Sequence, residues 1–149
     1  MGDLRELIER LEKADGPALV LDGMIWCAVN GYEFVQWDGA GCVYRKVDGP
    51  EWDRGIKHIS AREVRPYSAS LDAAIALCER VLPGWSLNLE FTNGIADDVY
   101  LLGPEHRYDR PDQCSSPPVA GKPICIALLL ATLRALSDQV TGQGEESGR

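Results

Sequence analysis

The chain predicts an α+β domain, with an antiparallel sheet of about four strands layered between helices. Three observations carry that prediction. The segment from Pro66 to Leu89, PYSASLDAAIALCERVLPGWSLNL, is a serine-capped amphipathic helix that meets a Pro-Gly stop and then a strand with strict alternation. Asn93-Gly94 is a strong two-residue hairpin signal. Hairpins, not single strands, separate the helical patterns, which favours antiparallel pairing over a doubly wound parallel sheet.

Helix one is expected over Asp3 to Ala14, where Leu4, Leu7, Ile8 and Leu11 recur at i, i+3, i+4 and i+7 and Asp3 can cap the first amides. Asp15-Gly16 breaks it. Pro17 suits the first turn of a second helix reaching Asn30, nearly apolar all round and therefore covered on more than one side, with Gly31 ending it. EFVQW and CVYRKV read as two short strands joined by a glycine-rich turn, and Asp48-Gly49-Pro50 closes that unit. Residues 48–65 are polar and irregular and read as a long loop, a natural place for function.

The third helix starts after Ser68 or Ser70, with Asp72 in its first turn and Leu71, Ala74, Ile75, Cys78 and Leu82 as its buried stripe. After Pro83-Gly84, Trp85, Leu87, Leu89 and Phe91 share one face of a strand whose hairpin partner includes Asp98 to Leu102. Residues 103–121 read as a second long loop. A final helix opens near Pro123 and is apolar over most of its circumference, so it should be central. Residues 1–140 read as a single domain and 141–149 as a disordered tail. Two helices apolar all round call for helices on both faces of the sheet.

A length of 149 residues with 45% hydrophobic and 26% charged residues is that of one ordinary globular domain. The net charge of −8 argues against duplex nucleic acid as a partner, because phosphates would be repelled at long range. Five cysteines, an odd number with no C-x-x-C, read as reduced and mostly buried thiols of a cytoplasmic protein. The N-terminal MGDLRELIERLEK is a charged amphipathic helix rather than a signal peptide, and the apolar run from Ile124 to Ala131 is too short to span a bilayer.

The segment PYSASLDAAIALCERVLPGWSLNL, with LRELIERLEKADGP before it and an alanine- and leucine-rich helix at the end, resembles the phage ABA sandwich domain family. The resemblance covers both ends and the middle of the chain, while residues 37–59 and 104–121 look like insertions. It implies a layered α-β-α architecture and a phage origin, and hence the cytoplasm of an infected bacterium. The shared motifs are structural, and the family carries no assigned activity, so the resemblance implies no catalytic or binding residue.

Chemistry is sparse. His58 and His106 lie far apart in loops, too few and too distant for a zinc or iron site, and no cofactor motif is present. Cys114 and His106 could be drawn as a nucleophile pair, but nothing in the sequence supplies the pocket such a pair requires. Asp97 and Asp98 fall on opposite faces of a strand, which does not suit two-metal chemistry. The expectation is a protein that is not an enzyme.

The most suggestive feature is a local reversal of charge. Residues 45–65 hold six bases (Arg45, Lys46, Arg54, Lys57, Arg62, Arg65) against four acids (Asp48, Glu51, Asp53, Glu63), a net of +2 in an acidic chain. Tyr44, Trp52 and Tyr67 are interleaved with them, and Arg107 and Tyr108 in the second long loop could repeat the chemistry. Guanidinium groups grip phosphates and aromatic faces stack on bases. The candidate ligand site is therefore Tyr44, Arg45, Trp52, Arg54, Lys57, Arg62, Arg65, Tyr67, Arg107 and Tyr108. The same segment also fits an exposed loop whose charges pair among themselves. Trp37, beside the Asp38-Gly39 turn, could anchor a partner.

The expected function is a phage-encoded counter-defence protein that sequesters a nucleotide-derived immune signal, as a possible homo-oligomer. The alternatives are a protein–protein inhibitor of a basic, nucleic-acid-binding host protein, and an accessory protein of the virion or its assembly.

Overall fold

The computed structural model describes residues 4–104 and 117–147, with side chains as far as Gln139. Its elements are α1 (Leu4–Lys13), α2 (Leu19–Asn30), β1 (Glu33–Trp37), β2 (Gly41–Lys46), a 3-10 turn at Glu51–Asp53, β3 (Gly55–Ser60), α3 (Leu71–Val81), β4 (Ser86–Thr92), β5 (Ile95–Leu102) and α4 (Ile124–Ser147). The α+β class and the antiparallel pairing are as expected. The strand count and pairing differ from the expected single sheet of about four: the described strands form two sheets, β1-β2-β3 and β4-β5.

α4 is the hub of the larger core. Ile126, Ala127, Leu128, Leu129, Ala131, Thr132 and Leu133 have no exposed surface, because α1, α3 and β5 all pack around the helix. That encirclement is why its sequence is apolar all round. α4 also stays helical through Ser147, so residues 141–147, expected to be disordered, continue the helix; residues 148–149 lie outside the described part.

α2 is apolar all round for a different reason: it is shared between two cores. Leu21 and Ile25 join the larger one, while Cys27 joins a second, smaller core with Cys42 and Val64 under the three-stranded sheet. Trp26, Tyr32, Phe34, Trp37, Tyr44 and Ile59 pack on that second core. Helix α2 thus covers one face of β1 and β2.

Local signals place the element ends. Ser70 caps α3 by accepting from the Ala73 amide at 3.2 Å, and Gly31 ends α2 in the left-handed region at φ 76°. Ser68, the other cap candidate, is used elsewhere: its amide donates to Asp22 Oδ1 at 2.8 Å, and its hydroxyl accepts from the Ala18 amide at 2.9 Å. The β4–β5 hairpin turns through Asn93 and Gly94, both at positive φ, as a two-residue loop requires. Residues 119–123 lie antiparallel beside β5, with Val119 and Val99 exchanging backbone hydrogen bonds of 2.8 and 3.1 Å. Lys122 then reaches back to the free carbonyls of Glu12 and Ala14 at the end of α1, where a cation is favoured.

The stretch expected as a long loop from 48 to 65 is corrected by the structure. It contains the 3-10 turn and all of β3, which pairs with β2 along its whole length. Among the described residues, no helix is long and apolar enough to cross a membrane, and no cluster of His, Cys, Asp or Glu could hold a metal ion.

Candidate binding site on the three-stranded sheet

The register of the sheet decides where each base goes. Tyr44 pairs with Lys57, Arg45 with Ile56 and Lys46 with Gly55. Because side chains alternate along a strand, Tyr44, Lys46 and Lys57 lie on the α2 side of the sheet, and Arg45, Ile56 and His58 lie on its open side.

On the α2 side, Tyr44 stacks on Tyr32 with ring centroids 4.8 Å apart and meets Trp26 edge-on at 5.0 Å. Next to it, the Asp53 carboxylate accepts from both Lys46 and Lys57, the latter at 3.2 Å. The hydrogen bonds from Lys46 and then Lys57 hold the Asp53 carboxyl below the ordinary carboxylate range. Lys46 is correspondingly raised, mainly by its bond to Asp53. Burial and the neighbouring Tyr32 raise the Tyr44 phenol.

On the open side, Arg45 pairs with Glu33 at 2.9 Å. Arg54 donates from Nε to the Gly49 carbonyl at 2.8 Å. Arg45, Lys46, Arg54 and Lys57 are thus all engaged within the sheet and its connecting turn. Lys46, Lys57 and Arg54 fix the 3-10 turn at residues 51–53, which displays Trp52 with 84% of its surface exposed. Val47 and Ile56, flanking that turn, are 48% and 58% exposed.

The remaining candidates are not at this end. β3 runs about 17 Å from Gly55 to Ser60 at the rise of an extended strand, and the Ala61 amide bonds the Ala40 carbonyl at the far end. Arg62 and Arg65 follow from there, exposed but a strand's length from Trp52. Tyr67 is corrected outright: only 4% exposed, it belongs to the larger core, and burial raises its phenol. Arg107 and Tyr108, like His106 and Cys114, lie outside the described residues. Trp37 packs on the smaller core and is not a free anchor.

Tyr32, Trp26 and Asp53 are the members of this cluster that the linear charge count does not single out. The hairpin register would have found Tyr32, because Glu33 pairs with Arg45 and Phe34 with Tyr44. Asp53 counted against the bases in the sequence, yet it is what organises them.

A cleft of about 420 Å³ opens elsewhere, between α1, α2 and β1. Leu7, Met24, Cys27, Ala28, Phe34 and Val35 form its apolar lining, and Glu6, Arg10 and Glu33 stand among its polar residues. Its size falls in the usual range for a small-molecule site; Tyr32 of the aromatic cluster lines it, whereas none of the residues singled out for ligand binding from the sequence does. Both of its carboxylates are held by arginines, Glu6 by Arg10 at 3.4 Å and Glu33 by Arg45.

No protein-family model, curated protein or solved structure matches the chain.

Proposed function

We propose that this chain is a non-enzymatic binding protein that docks on a protein partner through the turn between β2 and β3, with Trp52 as the anchor. The observation that supports the reading is the 84% exposure of Trp52 on a turn pinned by Asp53, Lys46, Lys57 and Arg54. An aromatic side chain buries roughly 150–250 Å² on docking, which at about 25 cal/mol per Å² is on the order of 4–6 kcal/mol of available driving force. A turn already fixed loses little further freedom when it binds. Val47 and Ile56, on either side of the turn in sequence, are further exposed apolar residues. Tryptophan is among the residue types that most often dominate an interface.

The resemblance to phage ABA sandwich proteins supports placing the partner in the cytoplasm of an infected bacterium, where occupancy of a defence protein would be the biological effect. A photo-crosslinking residue at exposed Glu51 tests the reading directly. A discrete adduct with a host protein, competed away by excess unlabelled chain, is the expected result. An adduct only with a second copy of the chain would make this surface a homo-oligomer interface instead.

A second reading, sequestration of a nucleotide-derived signal, is favoured by one observation: the Tyr32–Tyr44 stack beside two lysines that share a single carboxylate. Ring faces and a surplus ammonium suit a base and a phosphate. A cyclic dinucleotide or ADP-ribose at a hundred times its dissociation constant would stabilise the fold by about 2.7 kcal/mol. On this reading the shift disappears in Lys57→Ala, and its absence in the wild type removes the reading.

A further inference from the structure

We infer that Cys27 and Cys42 are a modification site, at which peroxide oxidation forms an intramolecular disulfide that staples α2 to β2. The two sulfurs stand 3.5 Å apart in the smaller core, with 1% and 0% of the residues exposed. They belong to different elements, separated in sequence by the whole of β1, so a bond between them would join the helix to the sheet. Bonding requires the sulfurs to close to about 2.05 Å, a displacement within reach of modest side-chain rotation. Among the described residues this is the one sulfur–sulfur contact; Cys78 and Cys125 are buried apart from it.

The cleft between α1, α2 and β1 supplies the approach. Cys27 lines it, whereas Cys42 does not. Peroxide that enters the cleft therefore stands on the Cys27 side of the pair, and with Cys27 1% exposed it reaches sulfur when the smaller core opens locally. In the first step the thiolate of one cysteine of the pair attacks one peroxide oxygen. The O–O bond breaks, a sulfenic acid forms, and the departing hydroxide takes up the thiol proton as water. In the second, the sulfur of the other cysteine attacks the sulfenic sulfur. The S–S bond forms, the S–O bond breaks, and the hydroxide leaves as water with the second thiol's proton. Two thiols and one peroxide thus become one disulfide and two waters. Burial, and for Cys27 the neighbouring Cys42, raise both thiols above the ordinary cysteine range. Little thiolate is present at neutral pH, so the reaction is slow and answers sustained rather than brief oxidation.

The test uses the full chain, treated with hydrogen peroxide, denatured, alkylated and mapped by peptide mass spectrometry. The expected product has lost two hydrogens, carries a Cys27–Cys42 linked peptide and melts at a higher temperature, and dithiothreitol reverses all three changes. The linked peptide persists in Cys78→Ala and Cys125→Ala and is absent from Cys27→Ala and Cys42→Ala. Should either of the last two fail to fold, the linkage map of the wild type decides alone. The inference is overturned if Cys27 and Cys42 remain fully alkylatable while other sulfurs oxidise. It is equally overturned if they end as separate sulfinic acids, or if either pairs with another cysteine.

Discussion

Asp22 is a carboxylate with 2% exposure in the first turns of α2, and its charge is tolerated because Ser68 donates to it. Burial is the largest influence and raises its pKa; the Ser68 hydrogen bonds partly offset that. A folded-state value above the unfolded one means that the folded chain binds the proton more tightly. Its contribution to stability is therefore present below the ordinary carboxylate value and lost as pH rises through the raised one. Asp22→Asn keeps an acceptor for the Ser68 amide and removes the buried charge. It should raise the melting temperature at neutral pH, with a gain that shrinks as the medium is acidified; a uniform gain or a loss at neutral pH would contradict this account. Asp53 has the opposite sign: its lowered value makes its contribution present above the ordinary carboxylate range and lost as pH falls through the lowered one. At this scale the sequence revealed what is local. The Ser70 cap lies three residues from its amide and was legible as one of two candidates, whereas the Asp22–Ser68 bond spans 46 residues and no local pattern announces it.

Elements were legible where their alternation was clean and illegible where packing and ion pairing disturbed it. β3, Gly55–Ser60, was hidden because its apolar residues fall on both faces: Ile56 points to the open side and Ile59 to the smaller core, while Lys57 turns inward toward Asp53. A strand that carries a lysine inward and an isoleucine outward cancels the period-two signal. The same strand explains the outcome for the candidate site. Trp52, Arg54 and Lys57 lie within six residues of one another and stay at one end, but β3 carries Arg62 and Arg65 to the opposite end, and Tyr67 passes into the core. Two substitutions probe these elements. A Cβ at Gly41 would stand 2.0 Å from the Ile59 carbonyl oxygen, so Gly41→Ala must part β2 from β3. The expected loss, read by urea unfolding, is on the order of 3 kcal/mol or more. Gly94→Ala forces a side chain into the left-handed half of a two-residue turn, at φ 78°, and should cost about 1 kcal/mol by the same measurement.

At the scale of the whole molecule, two cores share α2. The larger is organised by α4, and truncation there should be severe: Leu129→Ala, at a position with no exposed surface, is expected to cost about 2–5 kcal/mol. The smaller core lies beneath a sheet whose second face no described element covers, with Glu33, Arg45, Ile56 and His58 all exposed there. Helical layering was readable from composition, because an all-round apolar helix must be surrounded. The division into two sheets was not, since it depends on which strands pair, and both arrangements use the same hairpins. On the proposed function, Trp52 is displayed for a partner rather than for the fold. The most direct measurement compares the wild type with Trp52→Ala, each bearing the crosslinker at Glu51, for both adduct formation with a host protein and melting temperature. The adduct should disappear in Trp52→Ala while the melting temperature is unchanged. An adduct of undiminished yield in that variant, or a clear fall in its melting temperature, would contradict the account.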